Sequence, residues 1–222
     1  MSAFGGSRGE IQLIIGPMFS GKTTELIRRC KRYQIANYRC IVIKYANDNR
    51  YVADAAVATH DSQKLLAVPV VDLTSVECTQ YDVVGIDEGQ FFVDIQTFAE
   101  RLANRGKTVI IAALDGTYQR KGFLNVLELI PLSESVLKLS AVCMVCYGDA
   151  AYTKRTSSDT GLEIIGGADK YMAVCRRCYY CSNPTKTSSL TKNSMLDKCC
   201  ESKYADHTVK SSTKPVLSHI NN

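Results

Sequence analysis

Residues Gly16-Pro17-Met18-Phe19-Ser20-Gly21-Lys22-Thr23 fit the pattern G-x-x-x-x-G-K-[ST], whose chemistry is the grip of a nucleotide's phosphates. The glycines let the backbone curl so that successive N–H groups point at phosphate oxygens. Lys22 brings a point charge to the β and γ phosphates, and the Thr23 hydroxyl can ligate Mg²⁺. A second candidate is Asp82-Val-Val-Gly-Ile-Asp87-Glu88, an apolar run that ends in two acids. An acid at such a strand end holds the Mg²⁺ shell, the role expected of Asp87. Glu88, one residue on, can act as a general base toward an attacking hydroxyl. The third is a pair of knuckles, Cys143-x-x-Cys146 and Cys175-x-x-Cys178, with 28 residues between them. Two such turns complete a closed Cys₄ shell for a structural Zn²⁺. Cys178-Tyr-Tyr-Cys181 has the same spacing, so spacing alone leaves the second pair ambiguous.

These groups need elements to hold them. From residue 10 to 140, short Val/Ile-rich runs alternate with helical stretches, the pattern of an α/β domain around a mainly parallel sheet. Expected strands are Ile11–Ile15, Cys40–Lys44, Asp82–Ile86 and Thr108–Leu114, apolar enough to be buried on both faces. A helix should begin at Gly21–Lys22 with Leu26, Ile27, Cys30 and Tyr33 on one face, which makes the phosphate-binding loop a strand-to-helix turn. The helix N-terminus then adds its partial positive charge. A second helix is expected from about Asp94 to Asn104, stopping before Gly106. Four parts follow: a flexible N-terminus (1–9), an α/β domain (10–140), a cysteine-bracketed module (141–181), and a tail (182–222). The tail is rich in Ser, Thr, Lys and Asn and is expected to be disordered, having too few apolar residues to offset its ordering entropy.

Composition narrows the classes. The chain has 222 residues, 45% of them hydrophobic and 22% charged, enough to bury a core without disulfides. No apolar run approaches the roughly 20 residues needed to span a bilayer. The first residues lack the h-region of a secretory signal. A cytoplasmic protein without membrane partners is expected, and its ten cysteines should then be free or metal-bound. Cys30 and Cys40 read as small buried hydrophobes. The net charge is +5, but the tail holds six Lys against three acids, which leaves only +2 on the first 181 residues. A nucleic-acid binder carries a concentrated basic face, so no nucleic-acid partner is expected. The rival reading is a nucleic-acid-dependent ATPase fragment, which could also combine such a loop, an Asp-Glu strand end and a zinc ribbon.

Three further strings bear on that choice: Asp87-Glu88-Gly-Gln90-Phe91-Phe92, Ala113-Leu114-Asp115-Gly-Thr-Tyr118-Gln-Arg-Lys, and Ile165-Gly166-Gly167-Ala-Asp169-Lys-Tyr171. With the phosphate-loop motif and the cysteine pairs, they closely resemble the cytosolic (type II) thymidine kinase family over about residues 10 to 180. The resemblance implies a P-loop NTPase-like α/β core carrying a small zinc-binding module with a lasso loop. It implies transfer of the ATP γ-phosphate to the 5′-hydroxyl of thymidine, with Mg²⁺ alongside ATP, structural Zn²⁺, and a homotetramer. Carried over by motif, Gly16 to Thr23, Asp48, Asn49, Arg50, Asp87 and Gln90 serve ATP and Mg²⁺, and Glu88 is the catalytic base. Met18, Phe91, Leu114, Tyr118 and Phe123 join the substrate site. The lasso maps to Leu162, Glu163, Ile164, Ile165 and Gly166, with Tyr171 at the sugar side. Two departures stand out. Tyr118 replaces the usual stacking Phe, so its hydroxyl needs a partner. Gly122 replaces a proline before Phe123, with a looser loop expected.

Overall fold

The structure is a computed structural model that describes residues 9–46, 56–58, 64–156, 167 and 169–181. In chain order the strands are β1 (Glu10–Gly16), β2 (Cys40–Tyr45), β3 (Ala56–Ala58), β4 (Lys64–Leu66), β5 (Val68–Val70), β6 (Val83–Ile86), β7 (Thr108–Leu114), β8 (Ser135–Lys138), β9 (Ala141–Val142), β10 (Asp149–Ala150), β11 (Tyr152–Arg155) and β12 (Tyr171–Val174). The helices are α1 (Lys22–Ile35), α2 (Ile95–Ala103), α3 (Leu124–Leu127) and α4 (Arg176–Tyr180).

Six strands form one sheet in the order β5-β2-β6-β7-β1-β8, and each of these pairings is parallel. The four strands expected from the sequence are its four central ones. Their continuous apolar character has a direct cause, because successive side chains enter two different cores. Ile11, Leu13 and Ile15 of β1 face one core with Val109, Ile111 and Ala113 of β7. Ile14, Ile110 and Ala112 face the other. Helix α2 covers the first face with Ile95, Phe98, Ala99 and Leu102. Helix α1 covers the second with Leu26, Ile27 and Cys30, while Tyr33 is half-buried at its rim.

The edge strands had no clear signature in the sequence. β5 contains Pro69, which cannot donate to a ladder, and among the described residues β5 pairs only with β2, at the sheet's edge. Among the described residues β8 pairs only with β1, and Val136 there is exposed.

The described residues of the cysteine module build a third, smaller core from Ala141, Cys143, Ala150, Met172, Ala173, Val174 and Cys178. Two short antiparallel pairs, β9–β10 and β11–β12, frame it. Phe19 of the phosphate-binding loop packs against this core, so the loop sits between the sheet and the cysteine module. The lasso residues Leu162–Gly166, the segment Asp48–Arg50 and the tail 182–222 lie outside the described residues.

Candidate functional site

The phosphate-binding loop leaves the carboxyl end of β1, and the Asp87-Glu88 pair leaves the carboxyl end of β6, with β7 between these strands. Open parallel sheets bind ligands outside the carboxyl ends of their strands. Gly16 has φ 149°, and a Cβ there would lie 2.5 Å from the Leu139 carbonyl oxygen. No side chain fits at the point where the chain turns out of β1. Gly21 has φ 81° and leads straight into α1, placing the helix N-terminus at the loop's mouth. Phe19, at φ 65°, adopts a left-handed conformation unusual for a residue with a side chain.

The loop's chemical groups meet the acids across the sheet. The Thr23 hydroxyl donates to both Asp87 oxygens, at 3.1 and 3.2 Å, with Asp87 only 8% exposed. Hydroxyl and carboxylate oxygens brought together this way are a hard donor set suited to Mg²⁺. Lys22 is buried and donates to the Pro17 carbonyl at 2.7 Å, inside its own loop.

Glu88 sits at φ 54° and ψ 44°, a conformation that costs a non-glycine residue roughly 1–2 kcal/mol. Its surroundings hold it there. The next residue, Gly89, is so enclosed that a Cβ would lie 2.8 Å from Ile95 and 2.9 Å from Ile111. The buried Gln90 side chain donates to Glu88 and accepts from the Leu114 N–H at 3.0 Å. Asn125 in turn donates to the Gln90 and Phe92 carbonyls. Gln90, read from motif as a nucleotide residue, is therefore engaged with the Glu88 carboxylate and the end of β7.

Aromatic groups line the same end of the sheet. Phe91 stacks on Tyr45 at the end of β2, with ring centroids 5.0 Å apart. Phe123 packs half-buried against the larger core. Tyr118 lies in a turn closed by an antiparallel bridge between Gly116 and Gly122 and by the Thr117 N–H to Lys121 carbonyl bond. Its hydroxyl accepts from the Gln119 side chain at 3.1 Å, and its carbonyl accepts from the Tyr179 hydroxyl at 2.8 Å. The Arg155 guanidinium stacks 3.9 Å over the Tyr118 ring and donates to the buried Tyr171 hydroxyl at 2.8 Å. Arg155 thus links two expected substrate residues, and no motif in the sequence singled it out. Arg155 lies in β11, a short strand that is not among the elements expected from the sequence.

The ambiguity of the second knuckle is resolved. The sulfurs of Cys143, Cys146, Cys175 and Cys178 all lie within 4.8 Å of one another, with Cys146 and Cys175 3.7 Å apart. Tetrahedral zinc with bonds of about 2.3 Å requires sulfurs about 3.8 Å apart, so the donor set fits that ion. Cys181 stays out of the cluster and donates to the Arg177 carbonyl. Burial disfavours the Cys143 thiolate, but N–H groups of Cys146, Cys175 and Val145 outweigh it and bring the thiol down to about 7. Burial, together with the neighbouring cysteine sulfurs, pushes the Cys178 thiol up. Burial also drives the Cys30 thiol up to about 12, which suits the inert hydrophobe expected there. At the opposite end of the sheet a cavity of about 490 Å³ is lined by Arg28, Arg29, Arg32 and Tyr33 among others. Two of those arginines are paired with Glu25, and the motif residues lie elsewhere.

Comparison with known proteins agrees with this arrangement. A model of the family described as "Thymidine kinase" matches residues 9–179. The cytosolic thymidine kinase of Gallus gallus is 54% identical over 193 residues, covering 86% of this chain and 86% of that protein. The thymidine kinases of Variola virus and of Vaccinia virus (strain Western Reserve) are each 60% identical over 173 residues, covering 77% of this chain and 97% of theirs. A nucleotide-type loop, an acidic strand end and a four-cysteine cluster in one α/β chain, matched along this length, place it in the thymidine kinase family.

Proposed function

We propose that the chain transfers the γ-phosphoryl group of ATP to the 5′-hydroxyl of thymidine, giving dTMP in the cytoplasm. The observation that carries this reading is the contact of Thr23 with Asp87, which joins the phosphate-binding loop to the acids beyond β6. The Gly16–Thr23 loop binds the phosphates, and Lys22 exchanges its Pro17 carbonyl for a phosphate oxygen. Thr23 and Asp87 would hold Mg²⁺, which supplies charge neutralisation on the phosphates when bound. Glu88 accepts the proton of the 5′-hydroxyl as the new P–O bond forms, its carboxylate oriented by Gln90.

Met18, Phe91, Leu114, Tyr118, Phe123 and Tyr171 form the nucleoside side of the site. Arg155 holds two of them together. Two further segments are proposed on the family resemblance alone: Leu162–Gly166 for the base, and Asp48, Asn49 and Arg50 for ATP and Mg²⁺. The four-cysteine cluster would hold a structural Zn²⁺ with no coordination position left for substrate. Assembly as a homotetramer rests on the same resemblance.

The deciding assay follows ATP consumption by zinc-replete protein, with thymidine or DNA as the added partner. Thymidine-dependent formation of ADP and dTMP in equal amounts is expected. ATP turnover that needs DNA and ignores thymidine would replace this reading with the nucleic-acid ATPase.

A further inference from the structure

The phosphate-binding loop is held from two sides. From within, Lys22 donates to the Pro17 carbonyl. From outside, the Met18 N–H donates to the Thr153 hydroxyl at 3.0 Å, across 135 residues of sequence. Met18 is 7% exposed and Thr153 5%, so water cannot replace that bond cheaply. An amide spent on Thr153 is not one that faces a phosphate, so the outer bond can persist when Lys22 turns to the nucleotide.

Thr153 is itself rigidly placed. It lies in β11, paired with Ala173 of β12 in the core of the cysteine module. The next residue, Lys154, donates to the Tyr179 and Cys181 carbonyls at 2.8 and 2.6 Å, tying β11 to the end of the helix that carries Cys178. Phe19, beside Met18, packs on the same small core.

From this geometry we infer that Thr153 is a positioning residue for ATP, a tether by which the cysteine module fixes the phosphate-binding loop in its nucleotide-ready shape. The inference rests on the proposed ATP-binding role of that loop. The left-handed Phe19 next to Met18 costs backbone strain, and the Thr153 bond is one of the contacts that hold the loop in that shape.

The test compares zinc-loaded wild type with Thr153→Val and Thr153→Ser, reading ATP affinity by equilibrium binding and KM and kcat by steady-state assay. Val keeps the shape and strands the Met18 amide. Its ATP Kd and KM should rise about tenfold, with kcat within about twofold and zinc still bound. Ser keeps the hydroxyl and should restore ATP affinity to within about twofold of wild type. If Thr153→Val loses its zinc, Thr153→Ala is measured against the same criterion. Unchanged ATP affinity in the variant lacking the hydroxyl overturns the tether, as does equal weakening by Ser. Wild type that fails to bind ATP at all would instead overturn the functional reading beneath it.

Discussion

Glu88 combines a left-handed backbone with a carboxylate that accepts a hydrogen bond from Gln90, the kind of strained position that clusters at functional sites. As the proposed base it gives a sharp expectation. Glu88→Gln keeps size and hydrogen bonding but cannot take a proton. The rate constant kcat should fall by roughly 10²–10⁴ while the KM values stay near wild type, measured by steady-state kinetics with chemistry shown to limit the rate. A variant near wild-type kcat would remove Glu88 from that role. At this scale the sequence was most informative where chemistry needs a fixed spacing, as in Gly16–Thr23 and the cysteine knuckles. It was silent on Thr153 and Arg155. Each works through a partner far along the chain, Met18 for one and Tyr118 for the other. The Tyr118 hydroxyl, an open question in the sequence, is met locally by Gln119.

Among the elements, the small module shows why two identical spacings are not equivalent. Cys175 precedes α4, and its sulfur accepts from the Cys178 N–H at 3.4 Å, so one turn presents both sulfurs to Cys143 and Cys146. Cys181 falls beyond the helix, where its thiol faces the Arg177 carbonyl. Cys175→Ser should therefore lower zinc stoichiometry and soluble yield sharply, whereas Cys181→Ser should keep about one zinc per chain. Elemental analysis of both purified variants checks this, and equal loss would mean that the second ligand pair was assigned wrongly. Strands β1, β2, β6 and β7 were legible because burial on both faces leaves an unbroken apolar run. β5, β8, β9, β10 and β11 were not, since each spans only two to four residues and much of their surface is polar or exposed, and β12, though buried, is a run of four residues with no flanking strand signal.

At the scale of the whole molecule, one sheet separates two cores, and the strands that carry the chemistry also supply both. Leu13 is fully buried at the middle of β1, three residues before the phosphate-binding loop. Leu13→Ala should cost about 2–5 kcal/mol, since the packed sheet and α2 cannot collapse into the space. Chemical denaturation checks this: the midpoint should drop at an unchanged slope, and a loss below about 1 kcal/mol would show a core softer than its burial implies. The edges need no such packing. β5 and β8 are short, and Pro69 interrupts one of them, which limits pairing with other chains.

By itself the sequence determined the local chemistry: a loop able to curl around phosphates, an acidic strand end, four thiolates with ligand spacing, and the central strands that present them. These are consequences of residue type and short-range geometry, and they are written in neighbouring positions. Only the tertiary structure decided which four cysteines come together, that the Gln90 side chain links Glu88 to the Leu114 N–H, and that Thr153 and Arg155 contact Met18 and Tyr118. Those facts depend on hydrogen bonds and ring contacts between segments brought together by burial of three separate cores. A hydroxyl on a polar strand carries no mark of its distant partner until hydrophobic packing sets the two side by side.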